Sequence, residues 1–478
     1  MNVRTAKRVL TTVQRPWVWA GLGLAGSVVV KVRPSADRHL AVGHALDRAG
    51  LPERALQHFD AAIACARRGD RAADLRWLHP AQFASEHARY RLGRARVEDP
   101  LFACRVEPDR RTRRTPTGRD AGRFAVELTD NGFRIIGFTR RGTKRVGIEL
   151  DDRVIRVQAT GGSEQQPEFT FTLRRSSITA LPTTATLRVR DDEGALLTTV
   201  AGGAEYRIDV PHGTGELARC LGPDGTLDKK GDVPLGAVGR AERRSAYLEL
   251  YERARDLFAT ELDRPLFLMY GTLLGSWRDG DLIADDDDFD VAYVSEEVEP
   301  EGVKRETFRV IERLVEAGLA VSFNRRGRLF RLSDPNAQTP TTPAAPMATV
   351  AAAVHLDVRP LWFADGNAWA HNHFTMPSQR DDWLPVAEHR IGATCVLIPR
   401  QTERFLESHY GPTWRVPDPG FTYYRDAIPE HVWTYLARAL IRPAEYRQLR
   451  AALEPTRVGS TRPGTFASEA WDDLYPLR

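Results

Sequence analysis

The spacing of apolar and polar positions changes three times along the chain. From residue 36 to about residue 101, Ala, Leu, Arg and Glu recur at helical spacing, and a Gly50-Leu51-Pro52 break ends one helix and opens the next. Two antiparallel helices are predicted. From residue 123 to about 212 the period becomes two, in FAVEL, FRIIGF, RVGIEL, RVIRVQA, FTFTL, ATLRVR, LLTTV and YRIDV, with Asp-Asn-Gly, Asp-Asp, Gly-Gly and Asp-Glu-Gly turn signals between them. Short strands at this spacing predict a β-sandwich. A Gly/Asp/Pro stretch follows, then a helix predicted over 241–262 with Leu248, Tyr251, Leu257 and Phe258 on one face. Helix and strand alternate from there to about residue 411, as in a mixed α/β domain. The chain therefore reads as multidomain α+β: a helical N-terminal region (1–101), an Arg-rich linker (102–122), a central β-sandwich (123–212), a mixed α/β domain (238–425) and a C-terminal helical tail (426–478).

Composition supports that division. At 478 residues the chain has length for about three domains. A hydrophobic share of 42%, a charged share of 28% and a mean hydropathy of −0.40 exclude a disordered polymer and a multi-span membrane protein. Lys+Arg 68 against Asp+Glu 64 leaves a net charge of +4, too small to point to a partner. Only six of the basic residues are lysine, which reads as codon bias. The arginines between 110 and 123 are not interleaved with aromatic residues, so a solvated charge run is expected and no nucleic-acid surface. Cys65, Cys104, Cys220 and Cys395 stand singly, which argues against a disulfide scaffold or structural zinc and for a reducing compartment. Residues 16–30 form an uncharged run of fifteen, short of the roughly twenty that span a bilayer, and Lys31 and Arg33 follow it. A cytoplasmic protein is expected; contact with the inner face of the membrane through 16–30 is the less favoured alternative.

One cluster changes the picture. Seven aspartates fall within residues 279–290, four of them consecutive at 285–288. Two carboxylates about 4 Å apart repel by roughly 4 kcal/mol at an effective dielectric near 20. Relief by water or by a divalent cation is expected. The segment 266–294 reads as strand, Gly-rich turn, short helix, loop and strand. Asp288 and Asp290 alternate at the start of its last strand, so both carboxylates project from one face, a suitable presentation for Mg²⁺. Gly275-Ser276 upstream offers backbone N–H groups and a hydroxyl to a phosphate. Asp357, within the apolar run 350–363, supplies a third carboxylate. Together these parts suit metal-assisted phosphoryl or nucleotidyl transfer.

Tyr270-Gly271-Thr272-Leu273-Leu274-Gly275, then Arg278, Ile283 and Asp286-Asp287-Asp288-Phe289-Asp290, resembles the signature of the LicD/fukutin family of the nucleotidyltransferase superfamily. Leu356-Asp357, Ile398-Pro399-Arg400 and Tyr410-Gly411-Pro412-Thr413-Trp414 extend the likeness over about residues 245–425. The resemblance implies a nucleotidyltransferase-like fold and transfer of phosphocholine or an alditol or sugar phosphate from a CDP-activated donor to a glycan hydroxyl, in the cell wall or a surface polysaccharide. It also implies Mg²⁺ (or Mn²⁺) on Asp288 and Asp290, with Asp286 as a further candidate, and Asp357 completing the site and accepting the hydroxyl proton. Gly271, Thr272, Gly275, Ser276 and Arg278 would hold the donor phosphates, with the choice between the pairs 271–272 and 275–276 left open. Ala284-Asp285 departs from the family's usual Pro-Trp.

Lesser candidates are Arg325, Arg326, Arg328 and Arg331 beside Gly327, for an anionic donor; His371-Asn372-His373, for a metal; and Trp383, Trp414, Tyr423 and Tyr424, for stacking, although core packing is the default for such rings. The spacing of Gly43, Ala55, Phe59 and Ala62 over 36–67 resembles a tetratricopeptide helix pair, with a plain helical hairpin the favoured reading. Two rival functions are a nucleotidyltransferase that releases pyrophosphate and an inactive glycan-binding or scaffold protein.

Overall fold

The computed structural model describes residues 35–68, 77–108, 121–163, 165–199, 201–234, 237–283, 286, 288–323, 330–334, 354–371, 374–417, 429–459 and 465–467. These fall into two compact units, the first comprising Met1–Arg68 with Trp77–Pro234 and the second Gly69–Arg76 with Leu235–Arg478. The architecture is mixed α/β, with several sheets and helices.

In the first unit, α1 (Ala36–Arg48) and α2 (Pro52–Arg68) form the hairpin, and a third helix, α3 (Leu78–Arg91), joins it. Leu40, Leu46, Ala55, Phe59, Ala62, Ala81, Ala84 and Ala88 share one core cluster. Gly43 lets the helices approach, because a Cβ there would overlap the Phe59 ring. Two five-stranded sheets follow. One runs, in spatial order, β1 (Arg105–Pro108), β10 (Tyr206–Asp209), β8 (Thr184–Asp191), β4 (Arg145–Leu150) and β5 (Arg153–Ala159). The other runs β6 (Gly161–Ser163), β7 (Gln166–Arg174), β3 (Gly132–Thr139), β2 (Gly122–Thr129) and β9 (Thr198–Thr199). Alternating inward side chains meet between the sheets, with Phe124 against Tyr206 at 5.4 Å in an edge-to-face contact. All eight alternating segments form strands. Two further strands, β1 and β6, are added, and β1 arises inside the stretch expected to be linker because Arg105–Pro108 pairs with the otherwise open edge of β10. Residues 109–120, with the rest of the arginine run, lie outside the described residues.

The second unit is built on a sheet of order β11 (Phe267–Leu268), β12 (Phe289–Val294), β15 (Leu356–Ala364), β14 (Phe330–Ser333), β13 (Ala320–Phe323) and β16 (Thr465–Ala467). The central pair, β12 and β15, is parallel. Helix α4 (Ala237–Leu262) covers one face: Tyr247 and Tyr251 pack on Phe289, and Phe258 on Tyr293, with ring centroids 5.4–5.6 Å apart. Ala254 joins Tyr251 and Phe258 in that buried stripe, while Leu257 is only half-buried. Because side chains alternate along a strand, the odd positions of β12 face this helix and Asp290 faces the other way. Among the described residues no helix is long and apolar enough to cross a membrane. Residues 16–30 lie outside them.

Candidate functional site

The segment expected to be a Gly-rich turn is helical. Helix α5 (Tyr270–Asp279) begins directly after extended Met269, and Tyr270 makes the bend with a left-handed φ of 48°. A bulky residue adopts that conformation only where its surroundings hold it. Here they do: the Tyr270 hydroxyl donates to the His371 carbonyl at 2.8 Å, and its ring packs on His409 at 4.8 Å.

This geometry separates the two Gly-hydroxyl pairs. Thr272 Oγ1 accepts the Asp290 backbone N–H at 2.8 Å, and a Cβ on Gly271 would come within 2.8 Å of Asp286 Oδ2. Gly271 and Thr272, at the helix start where backbone N–H groups lack intrahelical acceptors, therefore adjoin the carboxylates. Gly275 and Ser276 do not. Gly275 packs against the following loop, where a Cβ would meet Ile283 N at 2.7 Å and Asp281 O at 2.8 Å. Ser276 is fully buried. Arg278 is engaged by its neighbour, with Nε and Nη2 donating to the two Asp279 oxygens at 2.8 and 2.7 Å.

Parallel pairing sets Asp290 directly opposite Asp357, and antiparallel pairing sets Asp357 opposite Arg331 on β14. One row across three strands thus reads Asp290, Asp357, Arg331. Arg331 Nε donates to Asp357 Oδ1 at 3.2 Å, and His355 Nε2 lies 3.6 Å from the same oxygen. Arg359, two positions beyond Asp357 and on the same face, closes the group: Nη1 donates to Asp290 Oδ1 at 2.5 Å and Nη2 lies 3.6 Å from Asp357 Oδ2. Its guanidinium sits 5.0 Å from the centre of the Tyr270 ring.

Residues 264–400 match the family model described as LicD/FKTN/FKRP, nucleotidyltransferase domain. The match takes in the helix α5 motif, the aspartate cluster and Asp357, and it supports a transferase-type role in glycan modification. No curated protein matches the chain.

The electrostatics of the matched segment centre on Asp290. Burial raises its pKa and Asp288 and Asp357 add to that rise, whereas Arg359 opposes it. Burial, with Arg359 second, pushes His409 down to about 3, so its ring is neutral near pH 7. Arginines relieve part of the charge of the aspartate cluster. Asp279 pairs with Arg278, Asp281 with Arg244 at 2.5 Å, and Asp290 with Arg359. Asp285, Asp287 and the Ala284 departure lie outside the described residues.

Among the described residues no three His, Cys, Asp or Glu side chains converge to hold a metal ion. The expected set of Asp288, Asp290 and Asp357 does not fit Mg²⁺ or Mn²⁺ as the side chains stand, because arginines already hold Asp290 and Asp357. Arg359 was not among the expected site residues. Its signal was present, an Asp-x-Arg pair on one face of an apolar strand. Of the lesser candidates, Arg331 reaches the site, and the His371 carbonyl accepts from the Tyr270 hydroxyl. Trp383 is core, with Nε1 donating to Ser378 Oγ at 2.9 Å; Trp414 is buried under Arg415. Arg325, Arg326, Arg328, His373, Tyr423 and Tyr424 lie outside the described residues.

Proposed function

We propose that the LicD-type domain transfers a phospho-linked group, such as phosphocholine or an alditol phosphate, from a CDP-activated donor to a glycan hydroxyl in cell-wall or surface polysaccharide. The observation that carries this reading is the row Asp290, Asp357, Arg331, set against the helix start at Gly271 and Thr272 within the matched segment. The helix start supplies N–H donors for the donor's phosphates. Arg331, partly exposed, offers a guanidinium to the same charge. The acceptor oxygen attacks the distal phosphorus, the bond from that phosphorus to the CMP oxygen breaks, CMP leaves, and the hydroxyl proton passes to Asp357.

The full chain, incubated with CDP-choline, CDP-glycerol or CDP-ribitol and glycan acceptors, with and without Mg²⁺, is expected to release CMP. Asp357→Asn should cut that release at least a hundredfold, the lower range for removing a positioned proton acceptor. Pyrophosphate in place of CMP, from nucleoside triphosphates, would mark the rival nucleotidyltransferase. No turnover with any donor would leave the scaffold reading standing.

A further inference from the structure

We infer that Arg359 is the resident cation of this site, occupying between Asp290 and Asp357 the position a divalent ion would take. The inference concerns how the chain neutralises its own carboxylates and does not depend on the transfer reaction.

Four features of Arg359 support it. Its side chain is almost wholly buried, at 3% exposure, so its charge needs a partner inside the fold. It meets both carboxylates of the row, Asp290 at 2.5 Å and Asp357 at 3.6 Å, and Nη1 lies 3.4 Å from the Asp357 carbonyl. The Tyr270 ring at 5.0 Å presents its electron-rich face to the same guanidinium. Its backbone is held, because Arg359 is paired with Ala292 on β12 and the three residues before it are paired with β14. A guanidinium does not lose its proton in the accessible pH range, so its charge persists whenever the strand is formed. A divalent ion seated between Asp290 and Asp357 would meet that charge at close range and would have to displace Nη1 from Asp290. Arg359 Nε makes no hydrogen bond in the structure, and the fork is spent on the two carboxylates and the Asp357 carbonyl. Arg359 is thus a positioning residue: it fixes the two carboxylates across the parallel pair and competes with metal for them.

The test is Mn²⁺ binding by the full chain, read by titration calorimetry and by the Mn²⁺-induced rise in Tm, with no donor present. Arg359→Met, which removes the charge and keeps the length, is expected to bind Mn²⁺ at least tenfold more tightly than the unmodified chain and to gain the larger Tm rise. Arg359→Lys should behave as the unmodified chain. Equal or weaker Mn²⁺ binding by Arg359→Met overturns the inference. Should Arg359→Met fail to fold, Asp290→Asn decides the matter in the presence of Arg359: unchanged Mn²⁺ binding supports the inference, and a tenfold loss overturns it. Failure of the transfer reaction would alter none of these outcomes.

Discussion

At the scale of single residues, Thr272 shows how one hydroxyl ties a helix to a strand. Its oxygen accepts the Asp290 N–H, a buried donor at the start of β12. Thr272→Val keeps the shape and strands that donor, so a loss of about 1–3 kcal/mol is expected, the usual cost of an unsatisfied buried polar group, measured by chemical denaturation. Part of this site was legible in the sequence. Asp290 and Asp357 were readable from their alternation in apolar strands, because a charge inside a buried run stands out. Arg359 stands in the same run and was equally visible as a residue, but its role depends on register: only the pairing of β12 with β15 brings a side chain 69 positions away onto Asp290. Ser276 failed in the opposite direction. A hydroxyl beside a glycine suggests a phosphate site, yet here the glycine serves close packing against Ile283 and the hydroxyl is interior.

At the scale of elements, strands were more legible than the helix at the site. Period-two alternation is decided by burial on one face, and every such run in the first unit paired as a strand. A short helix was legible at the site, but two glycines of low helix propensity argued for a turn before it; tertiary packing overrides that weak preference and the helix starts at Tyr270. Ion pairs that join elements were not legible at all. Glu127 on β2 accepts from Arg48 of α1 and from Arg134 of β3, each at 2.5 Å, tying the end of α1 to the sheet. Burial works to raise its pKa, and the two arginines outweigh that and bring it down to about 2. A depressed carboxylate contributes stability above its unfolded value of 4.5 and loses it as the pH falls toward 2. Glu127→Gln is therefore expected to cost about 1–2 kcal/mol near pH 7, a figure reduced because both arginines are partly exposed. Denaturation curves collected from pH 7 to pH 3 should show the difference from the unmodified chain shrinking below about pH 4.5.

At the scale of the whole molecule, two compact units carry separate cores, one around Phe59 and the facing sheets, the other around β12 and β15. A substitution confined to one core should register in the unfolding of that unit. Gly43→Ala forces a methyl group into the Phe59 ring and should destabilise the first unit by about 1–3 kcal/mol, the range for overpacking. Differential scanning calorimetry is expected to resolve two transitions, of which Gly43→Ala lowers one and Mn²⁺ added to Arg359→Met raises the other. A single transition moved by both changes would contradict separate cores.

The parallel register of Asp290 and Asp357 also governs when the site comes into being. The partners lie on strands that, among the described residues, a helix and two other strands separate, so their pairing must overcome a large loop-closure entropy before it yields any contact energy. A slip of one position would turn Leu356 or Val358 toward Asp290 and send Asp357 to the opposite face. The chemistry of this chain is thus all-or-none in time as well as in space: a nascent or half-folded chain has aspartates and arginines but no carboxylate pair.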